Sequence, residues 1–274
     1  MTEAAALSQP NFNAIARPYR WLEYLTLGPA LQRCRTHHIP SLLNQKNALI
    51  LGDGDGRFTA QLLQTSPDLE ATAIDTSSTM LALLETRNAA HANRLQTHHT
   101  NALTFTPTQS YDLIVTHFFL DCLAQPDLEA LIHRLTPALE PNALWLISDF
   151  RIPDGPMRLP ARLIVRSLYL AFRALTGLRT THLPDHATPL TAAGFTQIAD
   201  HRTLAGLLTT QLWQRIAPDS TPTKEPMPVP APKPALIPSS LPEDDPIPPS
   251  EPPVPSLDEP DPGVFHHEPA PPPD

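Results

Sequence analysis

Three glycines at alternate positions, in Asn47-Ala-Leu-Ile-Leu-Gly-Asp-Gly-Asp-Gly-Arg-Phe58, limit most sharply what this chain can fold into. Asn47 to Leu51 is an apolar run of strand length, and Phe58 to Gln64 has helical character. Strand, glycine turn and helix in that order is how an α/β protein brings bare backbone against a nucleotide. Gly52, Gly54 and Gly56 remove every Cβ that would hold a ligand off, and they let the chain turn tightly. N–H groups at the following helix start can then serve polar ligand atoms. A glycine-rich surface turn is the plainer reading, and the downstream pattern weighs against it.

The spacing narrows the ligand. A dinucleotide fingerprint, G-x-G-x-x-G, would put its third glycine at Arg57. A phosphate loop, G-x-x-x-x-G-K-[ST], would put its second glycine there, and no Lys-Ser or Lys-Thr follows. Asp53 and Asp55 inside the turn discourage a pyrophosphate. A cofactor without phosphates and with a positive charge fits better.

Downstream, Glu70 to Ile74 reads as a second strand ending in Asp75, nineteen residues past Gly56. An acid there can accept hydrogen bonds from both hydroxyls of a ribose; its bland alternative is an anion at a helix start. Thr76 adjoins it, and Ser77 or Ser78 caps the next helix. Leu95 to His98 and Tyr111 to Val115 are further strands, followed by Asn101-Ala102 and by Thr116-His117-Phe118-Phe119-Leu120-Asp121-Cys122. Strand exits of open parallel sheets face ligands. Asp127 to Leu139 reads as an amphipathic helix and Ala143 to Ser148 as a fifth strand. Phe195 to Arg202 and Leu207 to Ile216 complete the expected architecture. It is an α/β, Rossmann-like seven-stranded sheet, mostly parallel, with an antiparallel end hairpin and helices on both faces. There is no internal repeat.

Two helical additions flank this pattern. Phe12 to Leu43 is helical, broken at Gly28-Pro29, and forms a cap over about residues 12–43. Between the fifth strand and Gly194 lies an insertion, about residues 151–188, whose core helix runs from Pro160 to Thr176. On that helix Arg162, Arg166, Tyr169 and Arg173 share a stripe, and apolar residues cover most of the rest. It reads as a core helix with a solvated arginine stripe, as a lid over an apolar substrate, or as a helix on an anionic membrane face.

The glycine turn resembles motif I of class I S-adenosylmethionine (SAM)-dependent methyltransferases, and the likeness runs from about residue 12 to 216. Within that class it is most similar to the ubiquinone/menaquinone C-methyltransferase group, on the Tyr19 region and the helical insertion. The resemblance implies SAM as cofactor and Gly52, Asp53, Gly54, Gly56, Asp75, Thr76, Asn101, Ala102 and Thr116 around it. It implies further that Asn101, where relatives carry aspartate, accepts from the adenine amino group, and that Tyr19 contacts the cofactor. Where many members have an acid two positions before the first glycine, this chain has Ile50. Aminopropyltransferases, which use decarboxylated SAM, share an apolar residue there and form one alternative. They also carry an Asp-rich segment after the fourth strand, where this chain has a single acid, Asp121. A non-catalytic binding or scaffold protein is the other alternative. His117 is the expected general base, with Asp121 orienting it or binding substrate, and Asp149 a further candidate. No histidine set has metal-ligand spacing.

Composition bounds the partners. The chain has 274 residues and a formal charge of −9. From residue 218 on, eleven acids face Lys224 and Lys233, so residues 1–217 balance at zero. A neutral domain gives no electrostatic footprint for nucleic acid. Most of the 35 prolines also lie beyond Ala217, so residues 218–274 are expected to be a disordered acidic tail, open to a proline-reading partner. Two cysteines, Cys34 and Cys122, are too few for a disulfide framework and suit a reducing cytoplasm. The domain expected over residues 1–217 would act on a small, hydrophobic or aromatic acceptor if the insertion is a lid, and would make peripheral membrane contact if the insertion rests on a membrane face.

Overall fold

The structure is a computed structural model that describes residues 28–176 and 183–216. Tyr19, the cap before Gly28 and the proline-rich tail lie outside the described residues. Seven strands form one sheet: β1 (Asn47–Leu51), β2 (Glu70–Asp75), β3 (Leu95–His99), β4 (Tyr111–His117), β5 (Leu139–Phe150), β6 (Phe195–Thr203) and β7 (Leu208–Arg215). Their spatial order is β3-β2-β1-β4-β5-β7-β6. β1 to β5 pair in parallel, and β7 runs antiparallel to both β5 and β6. Around the sheet lie α1 (Gly28–Thr36), α2 (Arg57–Thr65), α3 (Ser78–Arg87), α4 (Gln125–Leu135), α5 (Arg158–Thr176) and α6 (Ala187–Ala192). The expected Rossmann-like architecture, with its antiparallel finish, is the one found.

Alternation along the strands divides the core in two. Ala48, Ile50, Leu113, Val115, Leu144 and Leu146 face Phe58, Leu62 and Leu63 of α2 and Leu84 of α3. Leu49, Leu51, Ile114, Trp145 and Ile147 face Leu128, Leu131, Ile132 and Leu135 of α4 and Leu190 of α6. The sheet is held in register at its base by Asp112, whose two carboxylate oxygens accept the backbone N–H groups of Lys46 and Asn47 at 2.7 and 2.8 Å. Arg94 donates to the carbonyls of Leu63, Ser66 and Leu69, and so closes the C-terminal end of α2.

Several elements differ from the sequence reading. The helical pattern to Leu43 gives way after Thr36 to a short 3₁₀ turn, Ile39–Ser41, with proline in its first turn. α1 begins at Gly28 rather than after the Gly28-Pro29 break, because proline is accommodated in a first turn. α4 stops at Leu135, since Pro137 has no N–H to continue it, and Leu139 already belongs to β5. α6 was not foreseen; Asp185 caps it by accepting from the N–H groups of Ala187 and Thr188.

α5 also inverts one expectation. Tyr169 does not share the solvent side with the arginines. It is buried with Ala161 and Val165, at i, i+4 and i+8, against Cys122, Phe150, Leu183 and Leu207. Leu163 and Leu170, expected to be covered, are exposed.

The glycine turn is fixed by sterics at its far end. Gly56 is the N-cap of α2 at φ 76°, and a Cβ there would stand 2.7 Å from Leu84 Cγ and 2.9 Å from the Leu84 Cα. At Gly54, φ 64°, a Cβ meets no atom within 4 Å. Gly54→Ala therefore costs only the left-handed backbone strain, about 1–2 kcal/mol. Gly56→Ala adds displacement of α3 and lowers Tm well beyond the Gly54→Ala change. Thermal unfolding of the two variants side by side checks this order.

Candidate functional site

A cleft opens at the carboxyl ends of β1, β2 and β4, where the strand order reverses between β1 and β4. The glycine turn forms its floor, and its other walls include Arg35, Asp75, Thr76, Asn101, Ala102, Leu103, His117, Phe118, Phe119, Cys122 and Leu123. Of the residues expected to hold a cofactor within the described residues, all but Gly56 and Thr116 stand on this cleft; Gly56 is packed against Leu84 of α3. Thr116 is fully buried, and its hydroxyl accepts the indole N–H of Trp145 at 3.1 Å. It is a core residue, because it sits one position short of the strand exit.

Asp53 and Asp55 are spent largely on the turn itself. One Asp53 oxygen accepts both the N–H and the hydroxyl of Thr59, at 2.9 and 2.7 Å, and so caps the first turn of α2. Asp55 pairs with Arg57 and with Arg87, which also donates to the Asp55 carbonyl. Its charge is neutralised locally. Asn101 accepts from its own loop through Oδ1, at 2.8 Å from the Leu103 nitrogen. A second lone pair of that oxygen is still able to accept.

Asp75 ends β2, and its carboxylate accepts the Ser77 N–H at 2.8 Å. Burial raises it to about 6, and the neighbouring Asp53 carboxylate pushes the same way. Asp53 is raised to about 6 as well, again by burial first, against its bonds to Thr59 and the positive charge of Arg35. Two desolvated carboxyls beside a glycine turn suit hydroxyl donors and a cationic ligand.

His117 closes the cleft beneath Phe58, ring against ring at 4.4 Å between centroids. It is 3% exposed, and neither ring nitrogen has a partner among the described residues. Burial, then the charge of Arg35, holds it well below the usual histidine range. It is therefore neutral, and a weak base. Asp121 does not orient it. Asp121 is buried beside Asp149, and burial raises it to about 6. Burial and the Asp121 charge drive Asp149 well above the carboxylate range, so the pair retains a proton near neutrality. Neither carboxyl lines the cleft. The Cys122 thiol is likewise pushed up by burial and is no nucleophile.

Arg35, from α1, was missed by sequence reasoning. It is 7% exposed, it lines the cleft, and its guanidinium carbon lies 5.2 Å from the centre of the Phe118 ring. Phe118 itself adopts φ 51°, a left-handed conformation that turns β4 sharply at its exit. Its N–H donates to the Ser148 carbonyl at 2.7 Å. In the sequence Arg35 stands with Arg33 near the end of a short helical segment, and nothing there distinguishes it from a surface arginine.

Residues 49–145 match a family model described as a methyltransferase domain. No curated protein sequence matches the chain. Among solved structures, an O-methyltransferase family protein from Burkholderia thailandensis is 16% identical with a TM-score of 0.58, covering 74% of this chain and 60% of that one. An O-methyltransferase family 2 protein from Planctomyces limnophilus in complex with apigenin is 18% identical, TM-score 0.56, covering 73% and 61%. The N-methyltransferase NodS from Bradyrhizobium japonicum, in complex with S-adenosyl-l-homocysteine, is 16% identical, TM-score 0.52, covering 73% and 98%. The chain thus spans about 60% of the length of the O-methyltransferase structures it matches. It has the class I SAM-dependent methyltransferase fold, and its match to a methyltransferase domain over residues 49–145, with a like-folded relative that holds S-adenosyl-l-homocysteine, supports an enzyme with SAM as its cofactor. The more particular likeness to the quinone C-methyltransferases is not supported, since these neighbours transfer to oxygen or nitrogen by their names.

The residues fit that cofactor. Bare backbone at Gly54 leaves open space, and Asp75 brings to the cleft a carboxylate of the kind that suits hydroxyl donors. Hydroxyl donation favours the charged carboxylate, so binding lowers the Asp75 pKa. Affinity for SAM is then full above about pH 6 and falls as pH drops through that value, by up to roughly tenfold per pH unit for each group. Asp75→Asn weakens binding at neutral pH and leaves only the Asp53 part of the pH dependence. Calorimetric titration with SAM between pH 5 and 8, in wild type and variant, reads both effects.

Proposed function

We propose that the enzyme transfers the SAM methyl group to a small hydrophobic or aromatic acceptor, and that Arg35 holds the cofactor by its carboxylate end. The observation that carries the acceptor class is the wall after β4. Phe118, Phe119, Cys122 and Leu123 line the cleft consecutively or nearly so, and His117 is the single titratable group of that segment at the cleft besides the inert Cys122 thiol. An apolar wall binds apolar surface, at roughly 25 cal/mol per Å² removed from water. A neighbour in complex with apigenin and another named as a mitomycin 7-O-methyltransferase are consistent with acceptors of this kind.

SAM supplies an activated methyl group, so the chain has chiefly to position the acceptor in line with it and keep water out. Phe118 and Phe119 serve both ends. His117, neutral and weakly basic, gives a hydrogen bond that orients a polar atom of the acceptor or cofactor. It is better suited to this than to the base role expected from its position. Asp121 acts through the buried pair with Asp149 and does not touch the acceptor. The acceptor's own acidity then decides whether oxygen, nitrogen or carbon is methylated.

Arg35 answers the departure at Ile50. That side chain is buried in the α2 face of the core and offers nothing to the methionine part of the cofactor. A guanidinium nearby, fixed against an aromatic ring, supplies a fork suited to a carboxylate. This separates SAM from decarboxylated SAM and counts against an aminopropyltransferase, as does the single acid after β4.

Two outcomes are expected. With methyl-labelled SAM, phenolic and other hydrophobic acceptors are turned over, while charged metabolites and nucleic acids are not; a charged best acceptor would sink the assignment. Arg35→Met weakens SAM binding about 10- to 150-fold, the loss of a charge-assisted pair worth about 1.5–3 kcal/mol. The same change leaves affinity for decarboxylated SAM within a few-fold. Equal losses for both ligands would assign Arg35 a structural role instead.

A further inference from the structure

Outside the cleft, the strongest unexplained feature is the outer face of α5. Ala161, Val165 and Tyr169 are its buried stripe, and the Tyr169 hydroxyl donates to the Asp121 carbonyl at 3.1 Å. Opposite, Leu159, Leu163, Arg166 and Leu170 recur at i, i+4, i+7 and i+11, which is one helical face. Leu159 is 70% exposed, Leu163 66% and Leu170 59%, with Arg162 exposed beside them. Three leucines in the open on one face are more than scattered surface residues, and such patches mark interaction sites.

Charge selects the occupant. From Arg158 to Thr176 the helix has four arginines and no acid, in a chain whose formal charge is −9. The nearest acid before it, Asp154, is already near Arg151 at 3.7 Å. A second copy meeting this face about a two-fold axis would set arginines against arginines. An anionic lipid surface instead takes the leucines into the acyl boundary and the guanidiniums onto its phosphates. No helix among the described residues is long and apolar enough to cross a membrane, so α5 would lie in the interface.

We infer that α5 docks the enzyme on anionic membrane surfaces through Leu159, Leu163, Leu170 and their flanking arginines. Cys122, which packs on the buried side of the same helix, also lines the cleft, so the docking element and the cleft share a wall. The inference stands on the exposed face alone and does not require the acceptor class proposed above.

The test uses the full chain and flotation with vesicles of phosphatidylcholine, alone or mixed with phosphatidylglycerol. The protein is expected to float with the mixed vesicles and not with phosphatidylcholine alone, and to be released by salt. Arg162→Glu/Arg166→Glu should reduce the bound fraction by at least roughly tenfold, the surface attraction of two arginines. Leu163→Ser/Leu170→Ser should do so too, with SAM affinity and Tm kept in both variants. Absence of flotation, or equal flotation with both lipids, overturns the proposal. So does a concentration-dependent dimer abolished by Leu163→Ser/Leu170→Ser, which would assign the face to a second copy. Flotation gained only when residues 218–274 are removed would assign it to the acidic tail.

Discussion

The site depends on one close approach, that of Gly52 to the ring of Phe119. A Cβ on Gly52 would stand 2.7 Å from that ring. Bare backbone at the exit of β1 therefore leaves that ring its place after the exit of β4. From this contact the rest follows. β4 must turn at once, which it does through the left-handed Phe118, and that turn sets an aromatic face beneath Arg35. The glycine turn is pressed into a fixed path, and Gly56 ends it against α3.

Charge around the cleft is arranged by scarcity of water. Asp53 and Asp75 are raised by burial, and Asp121 and Asp149 share a still drier place behind the wall. Desolvation, rather than any one partner, dominates all four. Arg35 is the cation that makes this tolerable at the cleft, because its charge acts on both Asp53 and His117. The same charge weakens His117 as a base. A ligand that brings hydroxyl donors and both signs of charge resolves more of these costs than a neutral one would.

Those elements were legible in the sequence where backbone geometry or burial on both faces dictated residue type. The strands β1 and β4 read as unbroken apolar runs, and Gly52 to Gly56 and Asp75 announced a strand-exit cleft. Thr116 was misplaced because the exit lies one residue further on, and alternation sends its own side chain inward to Trp145. Arg35 could not be read, since the Phe118 ring beside its guanidinium is distant in the chain. α5 misled for a different cause. Its apolar residues outnumber the narrow stripe the domain can cover, so periodicity did not say which side faced in.

The last strand has a consequence for biosynthesis. β7 is the final element of the sheet in the chain, yet it lies inside it, between β5 and β6. Until Leu208 to Arg215 has left the ribosome, β5 offers an open edge carrying Trp145, Leu146 and Ile147, and β6 has no partner at all. A nascent chain halted or cleaved just before Leu208 would keep five parallel strands with a sticky border. Chaperone demand should therefore concentrate in the interval between synthesis of β5 and arrival of β7, when the domain is almost whole and most prone to pair with the wrong chain.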